Sequence, residues 1–274
     1  MPPSLDDLLH DRYGPAAPSL TGEAHALLAS QLQHRSVRAF TAQPLPPDAL
    51  PLMLAAAQSA STTSNLQVWS VVTVDDPSVR ERLFELSGKQ RHVRECPLYL
   101  VFLADLARLD AIGAERELRR EGLDYLEMLL AAVIDAALAA QNAVVAAEAM
   151  GLGVNYIGAM RNQPEAVAEV LGLPPRAFAV FGLCVGYPDP AQPAHVKPRL
   201  PQAAVLHRNR YDATAHRERV ATYTQAMAEF YRRENMRTNG DWAQHSLNRV
   251  RGPEALLGRD RIRHALAALG FPAL

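Results

Sequence analysis

Four short stretches carry side chains able to bind or react. His34-Arg35-Ser36-Val37-Arg38 packs three potential cations and a hydroxyl into five residues. It reads either as a solvated helix end or as an anion site, because guanidinium forks and a nearby hydroxyl match the oxygens of a phosphate. Lys197-Pro198-Arg199-Leu200-Pro201 sets two more cations between prolines, which hold them in extended, preset directions. That rigidity suits an anion, although a surface polyproline linker has the same composition. Ser59-Ala60-Ser61-Thr62-Thr63-Ser64-Asn65-Leu66-Gln67 is a run of small hydroxyl and amide side chains, either a polar loop or a set of donors and acceptors lining a flat polar ligand. Gly88-Lys89-Gln90-Arg91-His92 offers Gln90 to a ring edge or to solvent.

Other chemistries find no pattern. Nine His, two Cys and scattered carboxylates show no HExxH or CxxC spacing, so no metal site is expected. Ser36 and Ser64 lack a nucleophile-elbow context. Gly151-Leu-Gly-Val-Asn-Tyr-Ile-Gly158 is similar to a dinucleotide fingerprint, but that motif needs a strand before it and a helix after it, and here the order is reversed. His34, among basic neighbours, suits an anion better than a general-base role. Hydrolase chemistry is thus left without a motif.

The elements that must position these stretches centre on residues 123–150. This segment is apolar on nearly every face, contains no Pro or Gly, and predicts one long helix buried on all sides. Asp135 in its middle must then find a partner or a wet pocket. Gly151 and Gly153 suit a helix end and a tight turn, Val154 to Ile157 a short strand, and Gly158-Ala159 a place where small residues let the backbone approach a flat ligand. Further strands are predicted at 68–74, 98–104 and 178–186, and helices at 22–34, 49–59, 78–86, 162–171, 213–233 and 260–269. Residues 105–122 read as a charged, mobile helical excursion. Met1 to Pro18, rich in Pro and polar residues, reads as a loosely ordered extension.

Composition bounds the rest. The 274 residues are 49% hydrophobic, enough for one large core, and no composition shift divides them. A net charge of -1 argues against a nucleic-acid or anionic-membrane partner. Cys96 and Cys184 lie in strand-like contexts and read as reduced, buried thiols. Four carboxylates and the Gln141-Asn142 pair argue against a membrane span at 123–150, no signal peptide is apparent, and a cytoplasmic location is expected.

In order and spacing, His34-Arg-Ser-Val-Arg-Ala-Phe-Thr, Gly88-Lys-Gln-Arg-His-Val, Ala140-Gln-Asn-Ala-Val-Val-Ala-Ala-Glu, Gly151 to Asn162, Phe181-Gly-Leu-Cys-Val-Gly and Lys197-Pro-Arg-Leu-Pro resemble the FMN-containing nitroreductase and flavin reductase family. The match is to its NADPH-preferring, oxygen-insensitive branch and covers about residues 31–271. The resemblance implies an α+β fold: a central mixed or antiparallel sheet flanked by helices, a long buried central helix, and an intertwined homodimer with active sites at the subunit interface. Residues 1–24 would be an N-terminal extension, and 25–274 a single domain with a helical excursion at about 105–122 and a C-terminal helical extension at about 207–274.

The resemblance also implies roles. His34, Arg35 and Ser36 with Lys197 and Arg199 would hold the phosphate of non-covalent FMN. Arg38 would reach the ribityl and the N1/O2 edge, and Thr62, Ser64 and Gln90 would bond ring and ribityl, with the 61–67 loop lying over the partner subunit's flavin. Tyr156, Ile157, Gly158 and Ala159 would pass beneath the ring. Asn65, Arg161, Arg232, Arg233 and Arg237 correspond to places where relatives contact substrate or the NADPH 2′-phosphate. Two departures stand out: the branch commonly has Gly-Gly where this chain has Gly158-Ala159, and an aromatic residue where it has Asn65. The implied activity is reduction of nitroaromatics, quinones or similar flat acceptors by NADPH in ping-pong fashion. The alternatives are a flavin reductase supplying a partner and a flavin-binding protein without turnover.

Overall fold

A computed structural model describes residues 4–20, 22–214 and 216–271. Four strands, Trp69–Thr73 (β1), Leu98–Asp105 (β2), Gly153–Ile157 (β3) and Ala177–Gly186 (β4), form one sheet in the order β1-β2-β4-β3 with every pair antiparallel. β2 and β4 are the continuous apolar runs, and they occupy the centre because only there are both faces covered. Packing demands a glycine at the centre of the sheet: a Cβ on Gly182 would fall 2.1 Å from the Tyr99 hydroxyl. A parallel bridge from Ser36 to Val154 lies beside β3. That bridge is isolated and lies outside the named strands, so the sheet is antiparallel rather than mixed.

Helices cover both faces. On one, the central helix Leu126–Ala149 presents Ala132, Ala136, Ala139, Ala140, Ala143 and Ala147, all essentially inaccessible, to the sheet and to the helix Ala49–Gln58. At about 1.5 Å per residue it is roughly 36 Å long. On the other, Pro77–Leu86 and Pro164–Leu171 enclose a second cluster that includes Leu83, Phe84, Val167, Met160 and the free thiols of Cys96 and Cys184.

The expectation that the central helix is buried on all sides is corrected. Leu126, Leu130, Ile134 and Leu138, spaced four apart, are 48%, 50%, 54% and 45% exposed. The helix is long and apolar enough to cross a membrane by length and composition, yet half of its most apolar window is buried within this chain. One apolar stripe of a core helix therefore faces outward.

By its contacts the chain divides into two units: Met1–Arg35 with His195–Ala255, and Ser36–Ala194 with Leu256–Leu274, the second of which contains the sheet. In the first unit a helix spans Leu5–Tyr13, where the sequence suggested loose chain. A reciprocal Ser4/Asp7 capping box satisfies its first donors, and Leu8 and Leu9 are buried. Helices Ala26–Leu32, His216–Arg233 and Trp242–Asn248 accompany it, and Tyr223, Met227, Phe230 and Tyr231 form their apolar cluster with Leu200 and Trp242. Trp242–Asn248 escaped the sequence reading because seven residues, most of them half-buried, are too few to show an apolar period. Within 105–122, helix Ala107–Glu115 is tethered rather than loose: Arg120 Nε lies 2.6 Å from Asp110.

Candidate functional site

His34, Arg35, Lys197 and Arg199 all belong to the first unit, and one side chain ties together the two segments that carry them. Arg12, in the last turn of Leu5–Tyr13, is 5% exposed. Its Nη2 donates to the carbonyls of Leu32 (2.5 Å) and His34 (2.8 Å), and its Nη1 to the carbonyl of Lys197 (3.0 Å). The Arg12 carbonyl in turn accepts from the Arg199 N–H at 2.8 Å. The Leu32 carbonyl ends helix Ala26–Leu32, where an outside donor is required and a cation is favoured. Arg199 Nη1 donates to the carbonyls of Lys197 and Pro198, and Lys197 Nζ lies 5.8 Å from the centre of the Phe230 ring. Arg35 and Arg199 are exposed, and His34 and Lys197 are half-buried.

In the second unit, Ser36 to Arg38 run along the start of β3, with the Val37 N–H donating to the Val154 carbonyl at 2.9 Å. The far end of β3 is Tyr156-Ile157, followed by the turn Gly158–Arg161. Tyr156, 37% exposed overall, stands edge-on to Phe181 at 5.1 Å, and local desolvation, then Glu148, raise its hydroxyl above the usual tyrosine range. Gly158 is informative because nothing in the chain demands it: its φ is not positive, and a Cβ there would meet nothing nearer than 3.4 Å. Its missing side chain leaves the strand end open, as a flat ring against the backbone requires. Ala159 sits in a 3-10 turn outside the left-handed region, packed against the second apolar cluster. Its methyl is accommodated without strain.

Gln90 is half-buried, and its amide nitrogen donates to the Ser87 carbonyl at 2.9 Å, which leaves its oxygen for other partners. Two residues on, His92 has a buried Nε2 without a hydrogen bond among the described residues, and desolvation, then the Arg38 charge, lower its proton affinity. Arg38 itself is exposed.

The loop with Thr62, Ser64 and Asn65 lies elsewhere. Asp135, wholly buried, accepts from Thr63 N–H (2.9 Å), Thr63 Oγ1 (3.0 Å) and Val68 N–H (3.4 Å), which answers the need for a partner raised by the sequence. Between those anchors Ser64, Asn65 and Gln67 hold φ of 48°, 57° and 52°. Left-handed backbone costs a non-glycine residue about 1–2 kcal/mol, so a loop this strained must be held by its surroundings. It leads into β1, on the edge of the sheet opposite β3. Three strand spacings, roughly 14 Å, separate those edges.

The remaining candidates divide. Arg161 turns inward: Nη1 donates to the Val180 carbonyl, and burial, then Arg259, lower its proton affinity. Arg233 pairs with Glu234 at 3.0 Å and lies over the Phe230 ring. Arg232 lines an open cavity of about 480 Å³ with Tyr231, Asn235, Met236 and Thr238, whereas Arg237 is exposed and outside that lining. Sequence reasoning missed Arg12 and named Thr63 only as part of the polar run, not as the partner of Asp135. Leu5, Leu8, Leu9 and Arg12 at i, i+3, i+4 and i+7, behind a Ser4/Asp7 cap, were the available signal for Arg12.

The sequence profile described as "Nitroreductase family" matches residues 32–187, and that of its C-terminal domain matches 197–273. The chain is 41% identical over 221 residues to a protein of Bacillus subtilis named FMN reductase (NADPH), covering 79% of this chain and 88% of that one. It is 40% identical over 213 residues to the oxygen-insensitive NADPH nitroreductase of Salmonella typhimurium, covering 77% and 85%. Among solved structures, NADPH:FMN oxidoreductase from Vibrio harveyi, complexed with NAD+, superposes with a TM-score of 0.79 at 34% identity, over 90% of this chain and 98% of that one.

Proposed function

The chain belongs to the nitroreductase family, and on that premise we propose that it is an NADPH-dependent enzyme that holds FMN non-covalently and reduces nitroaromatics, quinones or related flat acceptors. The observation that carries this reading is the tie, through Arg12, between the His34 and Lys197 segments, which lie far apart in sequence. His34, Arg35, Ser36, Lys197 and Arg199 are the phosphate ligands, meeting a dianion with charge-assisted bonds. Arg38 stabilises negative charge at the N1/O2 edge. Thr62, Ser64 and Gln90 bond ring and ribityl, and 156–159 lend backbone beneath the ring, where Gly158 leaves the approach open. FMN, when bound, supplies the redox chemistry in ping-pong fashion, accepting hydride from NADPH and passing electrons to the acceptor. The chain's own part is to bind, orient and tune.

The enzyme is a cytoplasmic homodimer. The outward stripe Leu126, Leu130, Ile134 and Leu138 supports this, and so does the separation of the 62–65 loop from β3 across the sheet, since the loop then serves the partner's flavin. Arg232, with Asn235 and Thr238 in its cavity, together with Arg233 and Arg237, takes the NADPH 2′-phosphate. Of the alternatives, free flavin as acceptor is favoured by the name of the Bacillus subtilis relative.

The test is steady-state oxidation of NADPH with a nitroaromatic, a quinone or free FMN as acceptor, using wild type and the Arg232→Ala/Arg237→Ala variant. Turnover with parallel double-reciprocal lines is expected, and the variant raises KM for NADPH about tenfold, which corresponds to about 1.4 kcal/mol, with little change for NADH. FMN bound without NADPH oxidation would leave only the non-catalytic alternative.

A further inference from the structure

Arg12 lies outside both stretches matched by the family, 32–187 and 197–273, yet its guanidinium reaches the cationic segments within them. We propose that Arg12 is a positioning residue for FMN binding, setting the separation of the His34-Arg35 turn from the Lys197–Arg199 segment so that both meet one phosphate. The inference rests on the reading of those segments as phosphate ligands.

A guanidinium presents its donors in a fixed plane, so the carbonyls it binds are held at set distances from one another. In Arg12 one nitrogen holds Leu32 and His34 and the other holds Lys197, while the main-chain carbonyl accepts the Arg199 N–H. Both ends of the residue thus join the same segments. The helix that carries it is fixed by its capping box and by buried Leu8 and Leu9, so the fork has a rigid base. Every one of these bonds goes to backbone. Arg12 therefore acts through the residues it spaces.

FMN and riboflavin differ only in the phosphate, and their affinity ratio isolates this role. Full-length wild type, Arg12→Met and Arg12→Lys are freed of flavin and titrated with each ligand by flavin fluorescence. FMN affinity is expected to fall at least tenfold in both variants, because a single ammonium cannot fork between the two segments, while riboflavin affinity stays within twofold. Parallel losses for both ligands would mean a general structural role and overturn the proposal, as would unchanged FMN affinity. If Arg12→Met does not fold, Arg12→Lys decides by the same criteria. A wild type that fails to bind FMN would instead refute the underlying reading, and the inference with it.

Discussion

His92 shows how a residue next to a candidate ligand acquires a pH-dependent role. Desolvation first, and the Arg38 charge second, hold its imidazole below the usual value of 6.5, with Glu95 opposing. The unfolded chain then binds a proton in a window where the folded chain does not, so stability rises with pH there and is lost as pH falls from about 6.5 toward the folded value. Thermal melts between pH 5 and pH 8 are expected to show this loss in wild type and a flatter profile in His92→Gln; identical profiles would remove the role. The cationic residues themselves were legible in the sequence, since Arg and Lys beside Pro or a hydroxyl announce their chemistry locally. Arg12 was not, because its importance lies in carbonyls brought to it by the fold. Gly158 and Gly182 make the same point: the sequence cannot tell the glycine that packing requires from the one that packing leaves open.

At the scale of elements, the central helix was legible as an unbroken apolar segment, and Asp135 as a carboxylate needing company. Its partners were not, for they lie 72 and 67 residues away in the chain, beyond any local pattern. With three donors and no exposure, Asp135 holds the 62–68 loop in a conformation its own residues disfavour. Asp135→Asn keeps the shape but replaces one acceptor oxygen with a donor facing donors, and is expected to cost about 1–3 kcal/mol of stability. If the loop serves the acceptor site, KM for the acceptor rises as well, while Thr63→Ser, which keeps the hydroxyl, stays near wild type. A variant with lowered Tm but unaltered KM would confine Asp135 to the core. Strands were read to within a residue or so because β2 and β4 are continuous apolar runs. The helix Leu5–Tyr13 was obscured by the prolines around it.

At the scale of the whole molecule, the long helix reconciles an apolar sequence with a face left bare. A sequence can show that a helix is apolar all round, but not whether its last face is covered by its own chain or by another. Each of these four side chains is already about half covered, so a second copy docked here would add only about half of the ~1.5–3 kcal/mol that full burial of an aliphatic side chain contributes. If the proposed homodimer uses this face, Ile134→Lys with Leu130→Lys is expected to sediment as a monomer where wild type sediments as a dimer; an unaltered dimer would place the interface elsewhere, and a monomeric wild type would remove the homodimer.

The proposed function presumes a flavin held by its phosphate, and the absorbance spectrum of the purified full-length protein tests that most directly. The account predicts a bound flavin, released on denaturation as FMN in about one copy per chain, whose visible band bleaches when NADPH is added without oxygen. A colourless protein that takes up no added FMN, or a bound flavin that stays yellow with excess NADPH, would contradict it.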